Sequence, residues 1–265
     1  MTKIYILQTD NRPIGGYLIL TQNVNKKTCD YLDYKYEYIP MNSNSHPNMH
    51  PATQKIYIVK EFLEQTDADV LVFLDSDAWV QNANQLKDII NNLVDDENKQ
   101  GVFSRDPYIA GQTFINSGSF IIKVNDFTKN MYNEIIQNLE NDPAHHVSWP
   151  YDQYYISAVI FNKKDVFNIF TPTILNTPQG EVLRHNWYKG PQMYEDLKIL
   201  LQNPLPAISN IFEFDKNYDT EPFPNTSPEG EMYKGTNNEP PSLLPPPLNN
   251  YNNWLQQHLL NRNRR

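Results

Sequence analysis

The sequence predicts an α/β protein with a mostly parallel central sheet flanked by helices. Apolar runs of strand length alternate along the chain with segments of helical period. One run, residues 70–74, is apolar at every position, as a central strand buried on both faces requires. Of 265 residues 39% are apolar, enough for one substantial core.

Residues 4–7 read as a buried strand, closed by the polar group Gln8-Thr9-Asp10-Asn11-Arg12 and then Pro13. Residues 17–24 have helical spacing. Residues 31–39 alternate aromatic with polar side chains, which predicts a strand. Residues 40–51, rich in Asn, Ser, Pro and His, predict a loop. Ile56, Val59 and Leu63 mark a helix over 53–65. After the strand at 70–74 the order continues as helix (85–94), strand (101–104), strand (114–123), helix (126–139), helix (152–160) and strand (166–170).

The character changes near residue 201. Half of the prolines fall between Pro204 and Pro247, so regular structure is not expected there. We expect a core over 1–200 and an arm over 201–265. The arm is expected to pack on the core and to end in a short helix with Tyr251, Leu255 and Leu259 on its apolar face.

The net charge of −9 argues against a nucleic-acid partner, since an acidic chain repels phosphates. The single cysteine, Cys29, permits no intrachain disulfide and fits a reducing compartment. No segment approaches the roughly 18 uncharged apolar residues that span a bilayer. The expected location is cytoplasmic. The Asn- and Tyr-rich composition suits an A+T-rich genome such as that of a large DNA virus.

The strongest chemical signal is Asp75-Ser76-Asp77, directly after the apolar strand. Ligands bind α/β sheets at the carboxyl ends of strands. Two carboxylates there can hold a divalent cation through hard oxygen ligands. Such a cation offsets the charge of a leaving diphosphate. The plainer alternative is a pair of solvated loop aspartates. Trp79 excludes a haloacid-dehalogenase motif, and Trp79 with Val80 excludes an EF-hand loop.

His185 is a candidate third ligand, the plainer alternative being an ordinary polar or core histidine; an imidazole beside two carboxylates shifts preference from Mg²⁺ toward Mn²⁺. Lys189, four residues on, is placed to meet a phosphate oxygen. In Asn116-Ser117-Gly118, the glycine suits close approach of backbone to a ligand or a plain turn. Asp152-Gln153 opens a helix, where a carboxylate also serves as a cap.

Taken together, these pieces resemble glycosyltransferase family 34. The stretch from Lys55 through Asp75-Ser76-Asp77 resembles the region of its metal motif. Asn116-Ser117-Gly118-Ser119-Phe120 resembles its N-x-G-x-F segment, and Asp152-Gln153 its acid–Gln pair. Gly180-Glu181-Val182-Leu183-Arg184-His185 resembles its late G-D-F-x-x-H segment, with Glu181 in place of Asp.

The resemblance implies a GT-A fold, a nucleotide-sugar donor (UDP- or GDP-linked), Mn²⁺ or Mg²⁺, a glycan or other hydroxyl acceptor, and retention of anomeric configuration. It assigns Asp75, Asp77 and His185 to the metal, and Asp152 and Gln153 to the reacting carbon. Gln8, Thr9, Asp10, Lys55, Ser76 and Lys189 would hold the donor, and Asn116 and Gly118 would line the sugar or acceptor side. A homodimer is compatible with this reading.

Two rivals are a sugar-1-phosphate nucleotidyltransferase and an inactive sugar-nucleotide-binding scaffold. The first wants a Gly-rich, Arg-containing loop after the first strand, and Gln8 to Pro13 lacks it. The intact Asp75, Asp77 and His185 argue against the second.

Overall fold

A computed structural model describes residues 2–42, 44–106, 114–172, 174–178, 180–187 and 191–202. Its strands are β1 (Ile4–Asp10), β2 (Lys35–Pro40), β3 (Val70–Leu74), β4 (Ala78–Val80), β5 (Gly101–Arg105), β6 (Ile115–Lys123), β7 (Phe167–Phe170) and β8 (Leu183–His185). Its helices are α1 (Tyr17–Leu32), α2 (Pro51–Gln65), α3 (Ala83–Asp95), α4 (Asp126–Asn141), α5 (Asp152–Asn162) and α6 (Pro191–Gln202). The expected arm and its terminal helix lie outside the described residues, as does Lys189.

Six strands form the main sheet in the order β2-β1-β3-β6-β5-β7. β1 runs parallel to β2 and β3, and β5 parallel to β7. β6 is antiparallel to both its neighbours. That reversal matters for the site. The start of β6 falls at the same edge as the carboxyl ends of β1, β3 and β5.

β3 is buried at every position, as its sequence predicts. Stacked rings of Phe73, Phe120 and Phe103 tie β3, β6 and β5 together, with centroids 4.9 and 5.4 Å apart. Burying each such ring contributes about 1.5–3 kcal/mol.

Several elements differ from the sequence reading: β1 runs on through Gln8, Thr9 and Asp10, α6 was not expected, and two further differences bear on the site. The first helix runs on to Leu32, so Tyr31 and Leu32 belong to it and not to the next strand. Its buried face carries Thr21, Gln22, Asn25 and Thr28, polar side chains that hide the helical period. It ends where Asp33 turns left-handed (φ 58°) and the Tyr34 N–H returns to Cys29 O at 2.9 Å.

The second difference is a small antiparallel sheet of β4 and β8, too short to read from periodicity. It sets Ala78 opposite His185. No helix among the described residues is long and apolar enough to cross a membrane.

Candidate metal and nucleotide site

The loop that follows β3 is held from several sides. Gln8 Nε2 donates to Asp75 O (3.0 Å) and Ala78 O (3.2 Å). Thr21 Oγ1 donates to Ser76 O at 2.8 Å. Asn25 donates to Ala78 O (3.2 Å) and accepts from Val80 N (3.0 Å). The polar stripe of α1 thus fixes the backbone of the acidic loop. Gln8 is fully buried, and its Oε1 accepts from Tyr36 OH at 2.8 Å. Its place is a brace beneath the loop rather than an open face.

The β4–β8 pairing delivers His185 to the two aspartates. The Asn186 N–H donates to Asp77 O at 2.9 Å and locks the register. His185 Nε2 then stands 3.3 Å from Asp77 Oδ1 and 3.6 Å from Asp75 Oδ2. One ligand atom from each of these residues lies within 4.8 Å of the others.

The ring's tautomer follows from its partners. The Gly118 N–H donates to Asn116 Oδ1 at 3.0 Å, so the Asn116 atom in that position is oxygen. The same oxygen lies 3.2 Å from His185 Nδ1. That oxygen favours a proton on Nδ1, which leaves the Nε2 lone pair available to a cation placed between the ring and the aspartates. Two carboxylates and a bare imidazole nitrogen form a donor set that fits a divalent cation such as Mn²⁺.

Gly118 has a packing reason. A Cβ there would lie 1.9 Å from His185 Nδ1 and 2.0 Å from Cε1. Gly118→Ala is expected to push the ring off the site and to cost about 1–3 kcal/mol by overpacking. Urea unfolding of this variant with wild-type stability would show that the ring does not rest on the Gly118 backbone.

Lys55 occupies the centre of the site. Its side chain is 6% exposed, with Nζ 2.9 Å from Asp75 Oδ1 and 3.1 Å from Asp152 Oδ2. It also donates to Ser117 O at 3.3 Å. Burial disfavours the charged amine, but Asp152 and Asp75 outweigh it and hold the amine above its ordinary value.

One ammonium thus serves two carboxylates. Burial pushes the Asp152 carboxyl up to about 6, with Lys55 drawing it down and Asp75 pushing it further up. Asp152 Oδ2 is buried and has no aligned hydrogen bond. Gln153 is pinned at both ends of its amide. Its Oε1 accepts from Ser117 N at 3.3 Å, and its Nε2 donates to Asp106 Oδ2 at 3.1 Å.

A cavity of about 360 Å³ opens beside this cluster. Its walls are the end of β1 (Thr9, Asp10, Asn11, Arg12), the start of α2 (His50, Pro51, Ala52, Lys55) and the loop Asp75-Ser76-Asp77. Arg12 Nε donates to Asp10 Oδ1 at 2.8 Å, its Nη2 pairs with Asp10 Oδ2, and Nη2 reaches Ser76 Oγ at 2.9 Å. Burial opposes the Asp10 charge, but hydrogen bonds from Arg12 and Ser76 hold its carboxyl below the ordinary value. The His50 ring stacks on Tyr151 at 4.2 Å.

A more open hollow of about 500 Å³ lies at the opposite sheet edge, lined by Asp69 and Lys123 among others. Asp69 there accepts from Lys3 N and Lys123 donates to Asp96 O, so both charges serve the fold.

The structure therefore gathers Asp75, Asp77, His185, Lys55, Asn116, Gly118, Asp152 and Gln153 into one cluster. Thr9, Asp10 and Ser76 line the adjoining cavity. Sequence reasoning missed Arg12 and Asp106. Arg12 stood in the polar group that closes the first strand. Asp106 follows β5 as Asp75 follows β3, and an acid at the carboxyl end of a strand was the available signal.

No family model and no curated protein matches the chain. Among solved structures, the fold is similar to that of a glycosyltransferase involved in the glycosylation of the major capsid of PBCV-1. The likeness has a TM-score of 0.56 at 17% identity and covers 75% of this chain and 98% of that one. The chain thus has a GT-A-like α/β fold, with its acidic loop and cavity at the carboxyl edge of the sheet.

Proposed function

We propose that the chain is a metal-dependent glycosyltransferase that moves a sugar from a nucleoside-diphosphate donor to a hydroxyl acceptor such as a glycan. The observation that carries this reading is the convergence of Asp75, Asp77 and His185 Nε2 beside the cavity, on a GT-A-like fold. When bound, a divalent cation, Mn²⁺ in our reading, would neutralise charge on the donor diphosphate. Asp77 and His185 would hold it, with Asp75 shared between it and Lys55. Thr9, Asp10 and Arg12 would meet the base and ribose.

Asp152 and Gln153 would lie nearest the reacting carbon. A retaining transfer needs either a carboxylate nucleophile or attack on the face the diphosphate leaves. Asp152 is committed to Lys55 and Gln153 is held by Asp106 and Ser117. Both commitments favour same-face attack, with the polar groups stabilising developing positive charge.

The test is a thermal-shift screen of UDP- and GDP-sugars with and without Mn²⁺, followed by donor hydrolysis. A donor at 100 times its dissociation constant adds about 2.7 kcal/mol of stability. An inactive scaffold would bind donor without consuming it. His185→Ala is expected to raise the Mn²⁺ concentration needed for half-maximal hydrolysis. An unchanged midpoint removes His185 from the metal.

A further inference from the structure

We propose that Asp106 is a positioning residue for the metal site, which keeps the ligand face of His185 turned toward Asp75 and Asp77 by fixing the amide of Asn116. The proposal rests on the metal reading above. It extends that reading to a residue that would touch neither metal nor donor.

The placement starts in the sheet. A register shift between Val102 and Ser104 sets Ser104 opposite Asn116 and Arg105 opposite Ile115. The Asp106 N–H donates to Phe114 O at 2.7 Å, so the residue is held just beyond the end of β5. Asp106 is 4% exposed. Its Oδ2 accepts from Asn116 Nδ2 at 3.1 Å and from Gln153 Nε2 at 3.1 Å. A buried carboxylate is costly unless donors converge on it, and here two amides do.

The consequence passes along a chain of single acceptors and donors. A carboxylate accepts only, so it demands the NH₂ end of Asn116. The Oδ1 end is then left for the Gly118 N–H and His185 Nδ1. An oxygen at Nδ1 favours a proton there, so that Nε2 can turn its lone pair to a cation held between it and the two carboxylates. With the Asp106 acceptor gone, the amide is held only at its oxygen end, by the Gly118 N–H and His185 Nδ1. Outer partners of ligating histidines commonly change metal affinity by about 10–100-fold.

Binding of Mn²⁺ alone, followed by the electron paramagnetic resonance of the free ion, reads this without turnover. Asp106→Ala is expected to weaken Mn²⁺ binding by about 10–100-fold. Asp106→Asn is expected to restore most of it, because its carbonyl oxygen can still accept from both amides. Unchanged affinity in Asp106→Ala, with only a lower melting temperature, overturns the proposal.

A metal-free measurement covers the case in which Asp106→Ala does not fold. Nitrogen-15 shifts of the neutral His185 ring in the wild-type chain should report the Nδ1–H tautomer. A predominant Nε2–H tautomer overturns the proposal whatever the metal does. A wild-type chain that shows the Nδ1–H tautomer but binds no Mn²⁺ overturns the metal reading, and the proposed role of Asp106 in metal binding with it.

Discussion

Asp77→Asn is expected to lower sugar transfer by about 10²–10³ while leaving the fold intact, the usual loss when one transition-state charge stabiliser is removed. Asp77 Oδ1 is the carboxylate oxygen nearest His185 Nε2, at 3.3 Å, and Asp75 is already shared with Lys55. The charge of Asp77 is therefore the hardest to replace. The substitution keeps the side-chain shape. The anchoring contact to Asn186 N uses the Asp77 backbone carbonyl, which the change does not touch. Transfer rate and melting temperature, measured together at saturating Mn²⁺, check both halves. Near-normal transfer would sink the assignment of Asp77 to the metal.

Asp75 and Asp77 were legible in the sequence because position alone marks them. A fully apolar run of five residues in an alternating α/β chain suits an inner strand, and acids just past its end face the ligand edge. The alternation that gave the α/β fold is legible for the same reason, since burial dictates it residue by residue. His185 was different. Its type suited a metal, but it reaches Asp77 only through pairing of two three-residue strands, β4 and β8. Such short segments have no period to read.

The length of α1 was obscured by a related effect. Thr21 and Asn25 are buried not by hydrophobicity but by hydrogen bonds to the acidic loop. Lys55 was expected among the residues that hold the donor. The structure adds that Asp75 and Asp152 already bracket the amine from two elements. That arrangement is tertiary, and no local pattern encodes it.

Lys55→Met should then carry the largest stability effect of any single change at the site. Met fills a similar volume but leaves Asp75 and Asp152 without their shared counter-ion. Asp75 is partly exposed and can turn to water, whereas the Asp152 side chain is 3% exposed. Breaking a buried pair by removing one partner costs about 3–5 kcal/mol, because the remaining charge is uncompensated. The loss must depend on pH in one direction. The Asp152 carboxyl ionises near 6 in the folded chain, above its ordinary 3.8. Between those values the folded chain keeps a proton that the unfolded chain releases, so stability from this group rises as pH falls through about 6. Removing Lys55 takes away the contact that draws this carboxyl down, so its proton is held at still higher pH. Once protonated, Asp152 no longer needs the ammonium. Urea unfolding should therefore show a larger deficit of Lys55→Met at about pH 7.5 than at about pH 5. A deficit that stays constant or grows toward acid would mean that Asp152 is not the charge left stranded, and that Lys55 stabilises the chain through Asp75 or through packing alone.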